Sequence, residues 1–214
     1  MLKDPFELLN DHVDVSHGTF LKLKLYHDLL LKWQNTINLI GKDTIGDSWN
    51  RHFLDSLQII KLLPDNNKTI VDLGSGAGFP GMILAIMGFT HVHLIESDSR
   101  KCAFLKEVAR ITETKISIHN TRIENNTVEN IDIFVSRACA SLDNLLHLCK
   151  KNISRETICL FHKGKNYSNE NTDARINWNY DIEVTPSIID PQSVILKLSN
   201  VGRLNNGQEG QSKI

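Results

Sequence analysis

The most informative stretch of the sequence is Asp72-Leu73-Gly74-Ser75-Gly76-Ala77-Gly78-Phe79-Pro80-Gly81. It follows a short apolar run at 69–73, which is typical of a buried strand, and it leads into an apolar segment at 80–87, which is typical of a helix. Four glycines within eight residues are more than a tight turn needs. The stretch therefore indicates a loop whose backbone comes close to a bound ligand.

Two kinds of ligand compete for this loop. The spacing Gly76-x-Gly78-x-x-Gly81 matches the dinucleotide fingerprint, in which a pyrophosphate lies at a helix N-terminus. The alternative is S-adenosylmethionine, bound through an acidic-x-Gly-x-Gly-x-Gly pattern that begins at Asp72. A carboxylate repels a pyrophosphate but attracts the ammonium and sulfonium of S-adenosylmethionine. Because the strand also ends at Gly74 and not at Gly76, we expect S-adenosylmethionine, with Asp72, Gly74, Gly76 and Gly78 at the cofactor.

Outward from the loop, strands and helices alternate along the chain. Further strands are predicted at 91–95, 115–119, 131–135 and 157–161, and helices at 99–111 and 142–149. After a polar stretch at 165–175, read as a loop or a short helix, the segments 182–189 and 194–198 are expected to form a hairpin with Pro191 in its turn. Repeated β-α-β units predict an α/β fold with a mostly parallel, seven-stranded sheet and helices on both faces.

The N-terminal part of the chain reads as helical. Ser16 is a suitable N-cap for a helix whose apolar residues recur every three or four positions, and a second helix is expected to begin near Asp47. This pattern divides the chain into a helical cap at 1–64, a ligand-binding domain at 65–199 and a flexible polar tail at 200–214, which is rich in Asn, Gly and Gln.

Glu96 directly follows the second predicted strand. In parallel sheets ligands bind beyond the carboxyl ends of the strands, and a carboxylate there can accept hydrogen bonds from the two hydroxyls of a ribose. Glu96 therefore supports a nucleoside ligand without choosing between the two cofactors. Its alternative role is to support the start of the next helix, and Asp98 competes with it for the ribose.

Composition limits the class of protein. Of 214 residues, 41% are hydrophobic and 23% charged, as in an ordinary globular protein. No apolar run reaches the length of about 18 residues that a membrane span needs, and residues 1–5 do not resemble a signal peptide, so no membrane partner and a cytoplasmic location are expected. The four cysteines and nine histidines show no ligand spacing, so no metal site is expected.

The net charge is close to zero. Lys and Arg number 24 and Asp and Glu number 25, which argues against tight, non-specific binding to nucleic acid. The segment 131–175 carries a small positive excess, seven cations against five anions. Contacts with a nucleic acid, if it is the partner, are expected to come from Arg137 and from the segment 150–165.

Five stretches of the sequence resemble one family, the bacterial small-subunit ribosomal RNA methyltransferase G family, also called glucose-inhibited division protein B. The resemblance runs from about residue 20 to residue 198 and is carried by Trp33-Gln34-Asn35-Thr36-Ile37-Asn38-Leu39, Arg51-His52-Phe53-Leu54-Asp55-Ser56, the glycine loop, Ser136-Arg137-Ala138-Cys139-Ala140-Ser141-Leu142, and Lys163-Gly164. The combination is specific, whereas the glycine loop alone is typical of many methyltransferases.

The resemblance implies a Rossmann-like class I methyltransferase fold with an N-terminal helical cap. It also implies S-adenosylmethionine as methyl donor, N7 of guanine 527 in the 530 loop of 16S ribosomal RNA as target, and 16S ribosomal RNA or the 30S subunit as partner. Carried over residue by residue, Gly74 and Phe79 touch the cofactor, Ile123 and Glu124 hold its adenine, and Arg137 lies at the same site. The chain departs from the usual family residues at Ala77, Phe79, Glu96 and Cys139.

Four polar residues are candidates for positioning the substrate. Arg51/Asp55 and His52/Ser56 are i,i+4 pairs, which favour either a surface ion pair worth about 0.3–0.5 kcal/mol or a polar patch at the cofactor mouth. The resemblance favours the patch, and so His52 and Asp55 as positioning residues. Lys163 and Arg137 are expected to hold RNA phosphate or guanine O6, with the cofactor carboxylate as an alternative for Arg137.

Two other functions remain open on the sequence. One is a methyltransferase that acts on another RNA or on a small molecule. The other is a nucleotide-binding regulator without catalysis. A cytosine C5-methyltransferase is disfavoured, because Cys139 lies in Ala-Cys-Ala and not in the Pro-Cys or Thr-Cys of such enzymes.

Overall fold

The computed structural model describes residues 3–137 and 139–204. Within them the chain forms one seven-stranded sheet in the order β3-β2-β1-β4-β5-β7-β6. The strands are β1 (Thr69–Leu73), β2 (His91–Glu96), β3 (Ser117–Asn120), β4 (Ile133–Arg137), β5 (Ile158–Lys163), β6 (Trp178–Pro186) and β7 (Val194–Arg203). The predicted α/β fold with a mostly parallel sheet is confirmed.

The strand register brings several strand ends to one edge of the sheet. β1 to β5 pair in parallel, and β7 runs antiparallel to both β5 and β6. Leu73 pairs with Ile95 and Arg137 pairs with His162, so the carboxyl ends of β1, β2, β4 and β5 are nearly level. The glycine loop, Glu96 and Arg137 therefore meet at the same edge, as a parallel sheet requires.

Most of the helices lie where apolar periodicity predicts them. They are α1 (Pro5–Asn10), α2 (His17–Gln34), α3 (Asp55–Leu57), α4 (Gly81–Ile86), α5 (Ser99–Ile111), α6 (Leu142–Cys149) and α7 (Tyr167–Ala174). Ser16 caps α2, because its Oγ accepts a hydrogen bond of 3.1 Å from the backbone N–H of Thr19. α5 and α6 have the predicted bounds, and α7 resolves the polar stretch at 165–175 into a short helix.

The second N-terminal helix differs from its prediction. A 3₁₀ helix at Lys42–Asp47 leads into a π-helical turn at Trp49–Leu54, the short α3, and a second 3₁₀ helix at Gln58–Leu62. The wide turn buries three successive side chains, those of His52, Phe53 and Leu54. Apolar spacing predicts that a segment is helical, but it does not report the pitch, and π-turns are frequent at functional sites.

The final hairpin is longer than predicted at its open end, whereas β6 ends at Pro186 and not at the predicted residue 189. β6 begins at Trp178, and β7 continues to Arg203, which pairs with Trp178. The expectation that the chain frays from Asn200 is therefore wrong for 200–203, where Val201 is buried and the amide of Asn200 donates a 2.6 Å hydrogen bond to Asp181. The rest of the expected tail, 205–214, lies outside the described residues. Pro191 lies in the connecting loop, as predicted.

Two clusters of buried apolar residues pack against the sheet. The first contains Ile70, Leu94 and Phe104 together with Tyr26 of α2. The second contains Val71, Phe134, Phe161 and residues of α6. Neighbouring residues of β1 thus belong to different clusters, and both clusters approach the edge that carries the glycine loop.

Candidate active site

The glycine loop joins β1 to α4 and leaves no room for side chains at two of its glycines. Gly74 has φ +67° and Gly78 has φ +102°, a left-handed conformation that favours glycine. A Cβ atom on Gly74 would lie 2.5 Å from Sγ of Cys139, and one on Gly78 would lie 2.8 Å from the hydroxyl of Tyr26. The loop backbone is therefore packed closely from both sides.

Asp72 lies in β1 beneath the loop and is fully buried. Its Oδ2 accepts a 2.8 Å hydrogen bond from the backbone N–H of Gly81, which fixes the start of α4. Its Oδ1 is buried and has no hydrogen-bond partner among the described residues. Burial raises the pKa of Asp72 to about 7. This carboxyl supports the loop from below, and one of its oxygens is left for a further donor.

Glu96 links the loop to the start of α5. Its Oε2 accepts a 2.9 Å hydrogen bond from the N–H of Gly76, and its Oε1 accepts one of 2.7 Å from the N–H of Asp98. Glu96 therefore supports the start of α5, and it also contacts the glycine loop. Asp98 itself is the N-cap of α5, where it accepts from the N–H of Arg100 and forms an ion pair with that side chain.

One cavity lies beside Glu96 at the end of β2. It has a volume of about 400 Å³, and its lining includes Gly74, Glu96, Ile123, Glu124 and Cys139. We call it the Glu96 cavity. Four residues predicted to bind the cofactor therefore come together here, while Gly78, in the same loop, lies against Tyr26 and does not line this cavity. Cys139 reaches the cavity from the loop after β4.

A second cavity of about 310 Å³ collects the four residues predicted to position the substrate, His52, Asp55, Arg137 and Lys163. We call it the Arg137 cavity. These side chains come from the π-turn, α3, β4 and β5. Arg137 lines this cavity and Cys139 lines the Glu96 cavity, so both cavities lie near the carboxyl end of β4.

Arg137 is held at several points. Its Nη1 donates to the backbone oxygen of Arg51 at 2.8 Å and to Oδ2 of Asp55 at 3.2 Å. Its Nη2 donates to Nδ1 of His52 at 2.7 Å. The guanidinium carbon lies 5.0 Å from the ring centroid of Phe79, a cation–π contact that joins it to the glycine loop. The hydrogen bonds thus fix the guanidinium within its plane, and Phe79 covers one of its faces.

His52 is held in one tautomer by its neighbours. The hydroxyl of Thr44 donates to the backbone oxygen of Gly41, so that its oxygen accepts from Nε2–H of His52 at 2.8 Å. Nδ1 is then the acceptor for Arg137. Burial lowers the pKa of His52 to about 3, with further contributions from the charges of Arg137 and Arg51. At neutral pH His52 is an uncharged acceptor that orients the guanidinium.

The structure corrects the ion pair considered between Arg51 and Asp55. Asp55 pairs with Arg137, whereas Nη1 of Arg51 lies 3.8 Å from Oδ2 of Asp190. In the other i,i+4 pair the hydroxyl of Ser56 donates to the backbone oxygen of His52 and not to its ring. The π-turn carries Asp55 toward β4, so the polar patch is the arrangement present.

Lys163 is more enclosed than a residue that meets RNA phosphate would be. Its side chain is 6% exposed, and its Nζ lies 2.8 Å from Oε2 of Glu170 and 2.5 Å from the backbone oxygen of Ala140. The same Glu170 oxygen accepts from the N–H of Leu142 at the start of α6. Lys163 therefore lines the Arg137 cavity and fixes the loop between β4 and α6.

Sequence reasoning missed Tyr26 of α2. Its hydroxyl donates to the backbone oxygen of Ala77, and its ring stacks on Phe79 with centroids 5.4 Å apart. A signal was present, because Tyr26 lies three residues after Leu23 and four before Leu30 on the apolar face of the helix.

The loop between β6 and β7 was also missed as part of the site. Ser187, Ile189, Asp190 and Ser193 of this loop line the Arg137 cavity, together with His162 of β5. Nε2 of the buried His162 lies 2.9 Å from the backbone oxygen of Asp55. The position of His162 at a strand end was a usable signal, whereas nothing in the sequence links the hairpin loop to residues 51–55.

No cluster of three or more His, Cys, Asp or Glu side chains suited to a metal ion occurs among residues 3–137 and 139–204. In the same part of the chain, no helix is both long and apolar enough to cross a membrane.

Solved structures share this fold. A TehB-like SAM-dependent methyltransferase from Corynebacterium glutamicum matches with a TM-score of 0.56 at 12% identity, over 83% of this chain and 99% of that chain. A tRNA (uracil-54, C5)-methyltransferase from Pyrococcus abyssi, in complex with S-adenosyl-L-homocysteine, matches with a TM-score of 0.55 at 14% identity, over 75% of this chain and 40% of that chain. The sheet order, the reversed β7 and the glycine loop beside Glu96 define the class I methyltransferase fold.

Sequence comparison gives the family. The family model for rRNA small subunit methyltransferase G matches residues 20–191. Over 199 residues the chain is 48% identical to the ribosomal RNA small subunit methyltransferase G of Paramagnetospirillum magneticum, covering 93% of this chain and 97% of that protein. The chain belongs to the rRNA small subunit methyltransferase G family, which confirms the resemblance.

Proposed function

We propose that the protein methylates N7 of guanine 527, in the 530 loop of 16S ribosomal RNA. Membership of the family supports ribosomal RNA as substrate. The choice of N7 is supported by one observation: His52, the histidine that contacts Arg137 in the Arg137 cavity, is held neutral with both ring nitrogens hydrogen-bonded. His52 is therefore suited to orienting Arg137 and not to removing a proton.

The chemistry at N7 needs no general base. N7 of guanine has a free lone pair, so the new N–C bond forms while the C–S bond breaks, the electron pair goes to sulfur, and no proton leaves in this step. When bound, S-adenosylmethionine supplies an electrophilic methyl group on a sulfonium. The protein then contributes by holding N7 in line with that methyl group, which is catalysis by proximity and orientation.

The residues around the Glu96 cavity fit S-adenosylmethionine. The close packing at Gly74 leaves bare backbone at the cavity wall, and each oxygen of Glu96 has a second lone pair for a ribose hydroxyl. We assign Glu96 to the ribose, Ile123 and Glu124 to the adenine, and Gly74, Gly76, Gly78 and Phe79 to the loop that carries the cofactor. The unpartnered Oδ1 of Asp72 supports a role for this carboxyl near the positive charges of the methionine part.

Arg137 is assigned to the junction of cofactor and base. A guanidinium has five N–H donors, and the contacts with Arg51, Asp55 and His52 use three of them. The remaining donors suit guanine O6 or the carboxylate of the cofactor. Asp55 and His52 hold Arg137 in place, and Lys163 holds the neighbouring loop.

We further propose that the substrate is 16S ribosomal RNA or the 30S subunit, and that the protein acts in the cytoplasm. Residues 1–64 are assigned to a helical cap over a methyltransferase domain at 65–199, with helices on both faces of the sheet. Two observations support this architecture: Tyr26 of α2 contacts the glycine loop, and adjacent residues of β1 point into different apolar clusters.

A methyl-transfer assay tests the proposal. Purified protein is incubated with tritiated S-adenosylmethionine and either 30S subunits or protein-free 16S RNA, both from cells that lack the enzyme. We expect label in the 16S RNA, with Glu96→Ala as a control that transfers little because the ribose contact is lost. Label in another RNA, in a small molecule or in none contradicts the proposal.

A further inference from the structure

The loop of residues 187–193 forms a wall of the Arg137 cavity. It joins β6 to β7 and presents Asp190 to the same cavity as Arg137. No motif in the sequence marks this loop, and the reaction proposed above assigns it no role.

The loop is held against the helical segment that carries His52 and Asp55. Oε1 of the buried Gln58 accepts a 3.0 Å hydrogen bond from the N–H of Ile188, and its Nε2 donates to the hydroxyl of Ser187 at 3.3 Å. Nε2 also donates to Oδ1 of Asp55 at 2.7 Å. Gln58 therefore ties the loop to Asp55, and the position of Asp190 is fixed relative to Arg137.

Asp190 offers an ionised acceptor at this wall. Its Oδ1 accepts from the N–H of Gln192 at 2.9 Å, and its Oδ2 accepts from the hydroxyl of Ser193 at 3.1 Å. Both contacts lower the pKa of Asp190, and the hydrogen bond from Gln192 lowers it most. The group is therefore a carboxylate at neutral pH. Its side chain is 32% exposed, and the Nη1 of Arg51 approaches its Oδ2 only to 3.8 Å.

Asp55 is less suited to receive a substrate group. Its Oδ2 is held by a charged donor, Nη1 of Arg137, at 3.2 Å, whereas Asp190 has no cation closer than 3.8 Å among the described residues. The side chain of Asp55 is 17% exposed, against 32% for Asp190. Of the two carboxylates that line the cavity, Asp190 is the one open to a ligand.

Resting on the proposed function, we infer that Asp190 accepts a hydrogen bond from the N2 amino group of the target guanine and so selects guanine over bases that lack this group. Guanine presents O6 as an acceptor and N2 as a donor. A cavity that holds both a guanidinium and a carboxylate offers a partner for each. Adenine places no amino group at this position, so its binding covers the carboxylate without supplying a donor, and a site built for a donor disfavours such a ligand.

Inosine at the target position tests this inference, because it keeps N7, O6 and N1–H but lacks the N2 amino group. Small subunits are reconstituted with 16S RNA that carries either guanine or inosine at position 527. For each enzyme the ratio of kcat/KM on the two substrates is measured. This ratio does not depend on how much of a variant is correctly folded.

Three variants are compared with the wild type. Asp190→Ala removes the carboxylate, and Asp190→Asn keeps the loop turn. Gln192→Ala is a matched control on the same loop, since the side chain of Gln192 is exposed.

We expect the wild type and Gln192→Ala to prefer guanine by about tenfold or more, as for the loss of a hydrogen bond to a charged group. Asp190→Ala is expected to methylate both substrates at the same low rate, with Asp190→Asn in between. Equal rates of the wild type on both substrates, or an unchanged preference in Asp190→Ala, overturn the inference while leaving the proposed function in place. Absence of N7 methylation on the guanine substrate overturns the proposed function, and this inference with it.

Discussion

Nη2 of Arg137 donates a 2.7 Å hydrogen bond to Nδ1 of His52, across 85 positions of the sequence. This contact joins the π-turn of the N-terminal segment to the end of β4. Because the other ring nitrogen of His52 is bound to Thr44, the ring cannot turn to offer Arg137 an N–H group. The histidine acts through the arginine, and its role is to position and not to transfer protons.

His52→Ala is expected to lower methyl transfer by about 10²-fold, since a displacement of about 1 Å in a positioning group costs that much. His52→Gln keeps an acceptor for Arg137 and is expected to retain more of the activity. Both are measured as kcat/KM on unmethylated 30S subunits. Between pH 6 and 8 the wild-type rate is expected to show no inflection from His52. A loss in His52→Gln as large as in His52→Ala, with a bell-shaped wild-type profile, argues for proton transfer by His52.

His52 also makes stability depend on pH. Its pKa is about 3 in the folded protein, against about 6.5 in an unfolded chain. Between these values the unfolded state binds the additional proton, so the contribution of His52 to stability is present above about pH 6.5 and is lost as the pH falls through the window. We expect the difference in unfolding free energy between the wild type and His52→Gln to shrink by about 2 kcal/mol from pH 7 to pH 5. Urea denaturation measures it, and a constant difference contradicts this account.

Two glycines with similar backbone angles allow the cost of backbone strain to be distinguished from the cost of steric crowding. Gly78 and Gly88 have φ of +102° and +100°, but only at Gly78 would a Cβ meet other atoms closely. Gly88→Ala is expected to cost about 1 kcal/mol from backbone strain alone. Gly78→Ala is expected to cost about 1–3 kcal/mol more, because Tyr26, Met82 and Leu105 have to move. Thermal unfolding measures both, and equal losses rule out crowding at the glycine loop.

Lys163 and Glu170 form an ion pair in which the ammonium is buried and the carboxylate is partly exposed, and breaking it leaves the ammonium with the backbone oxygen of Ala140 as its neutral partner. Glu170→Gln is expected to destabilise the protein by about 1–3 kcal/mol, and addition of Lys163→Met to recover part of the loss. The matched control is Glu183→Gln, because Glu183 pairs with Lys197 at the same kind of distance, 2.9 Å, but is 68% exposed. The control is expected to cost at most about 1 kcal/mol. Equal losses in the two single variants exclude a structural role for the pair of Lys163 and Glu170.

Local patterns in the sequence predict much of the fold. The bounds of β1, α5 and α6 follow from apolar runs and caps, because these depend on residues close in the chain. The cofactor residues Gly74 and Glu96 are equally local, since each directly follows a strand and a parallel sheet brings such positions together.

The Arg137 cavity could be predicted only in part. Asp55 and Arg137 are 82 positions apart, and Gln58 and Ser187 are 129 apart. Such contacts depend on how the N-terminal segment packs on the sheet and on the pitch of its π-turn. Apolar spacing carries information on neither, so the sequence leaves the partner of Asp55 open and does not indicate the loop with Asp190.

The most direct test of the central claim is the modification state of guanine 527. We propose mass spectrometry of the 530-loop fragment of 16S RNA from cells that lack the protein, from the parent cells, and from deletion cells that carry either the wild-type gene or Glu96→Ala. Our account predicts that the N7-methyl group is absent in the deletion, returns with the wild-type gene and does not return with Glu96→Ala. A guanine 527 that stays methylated in the deletion contradicts it.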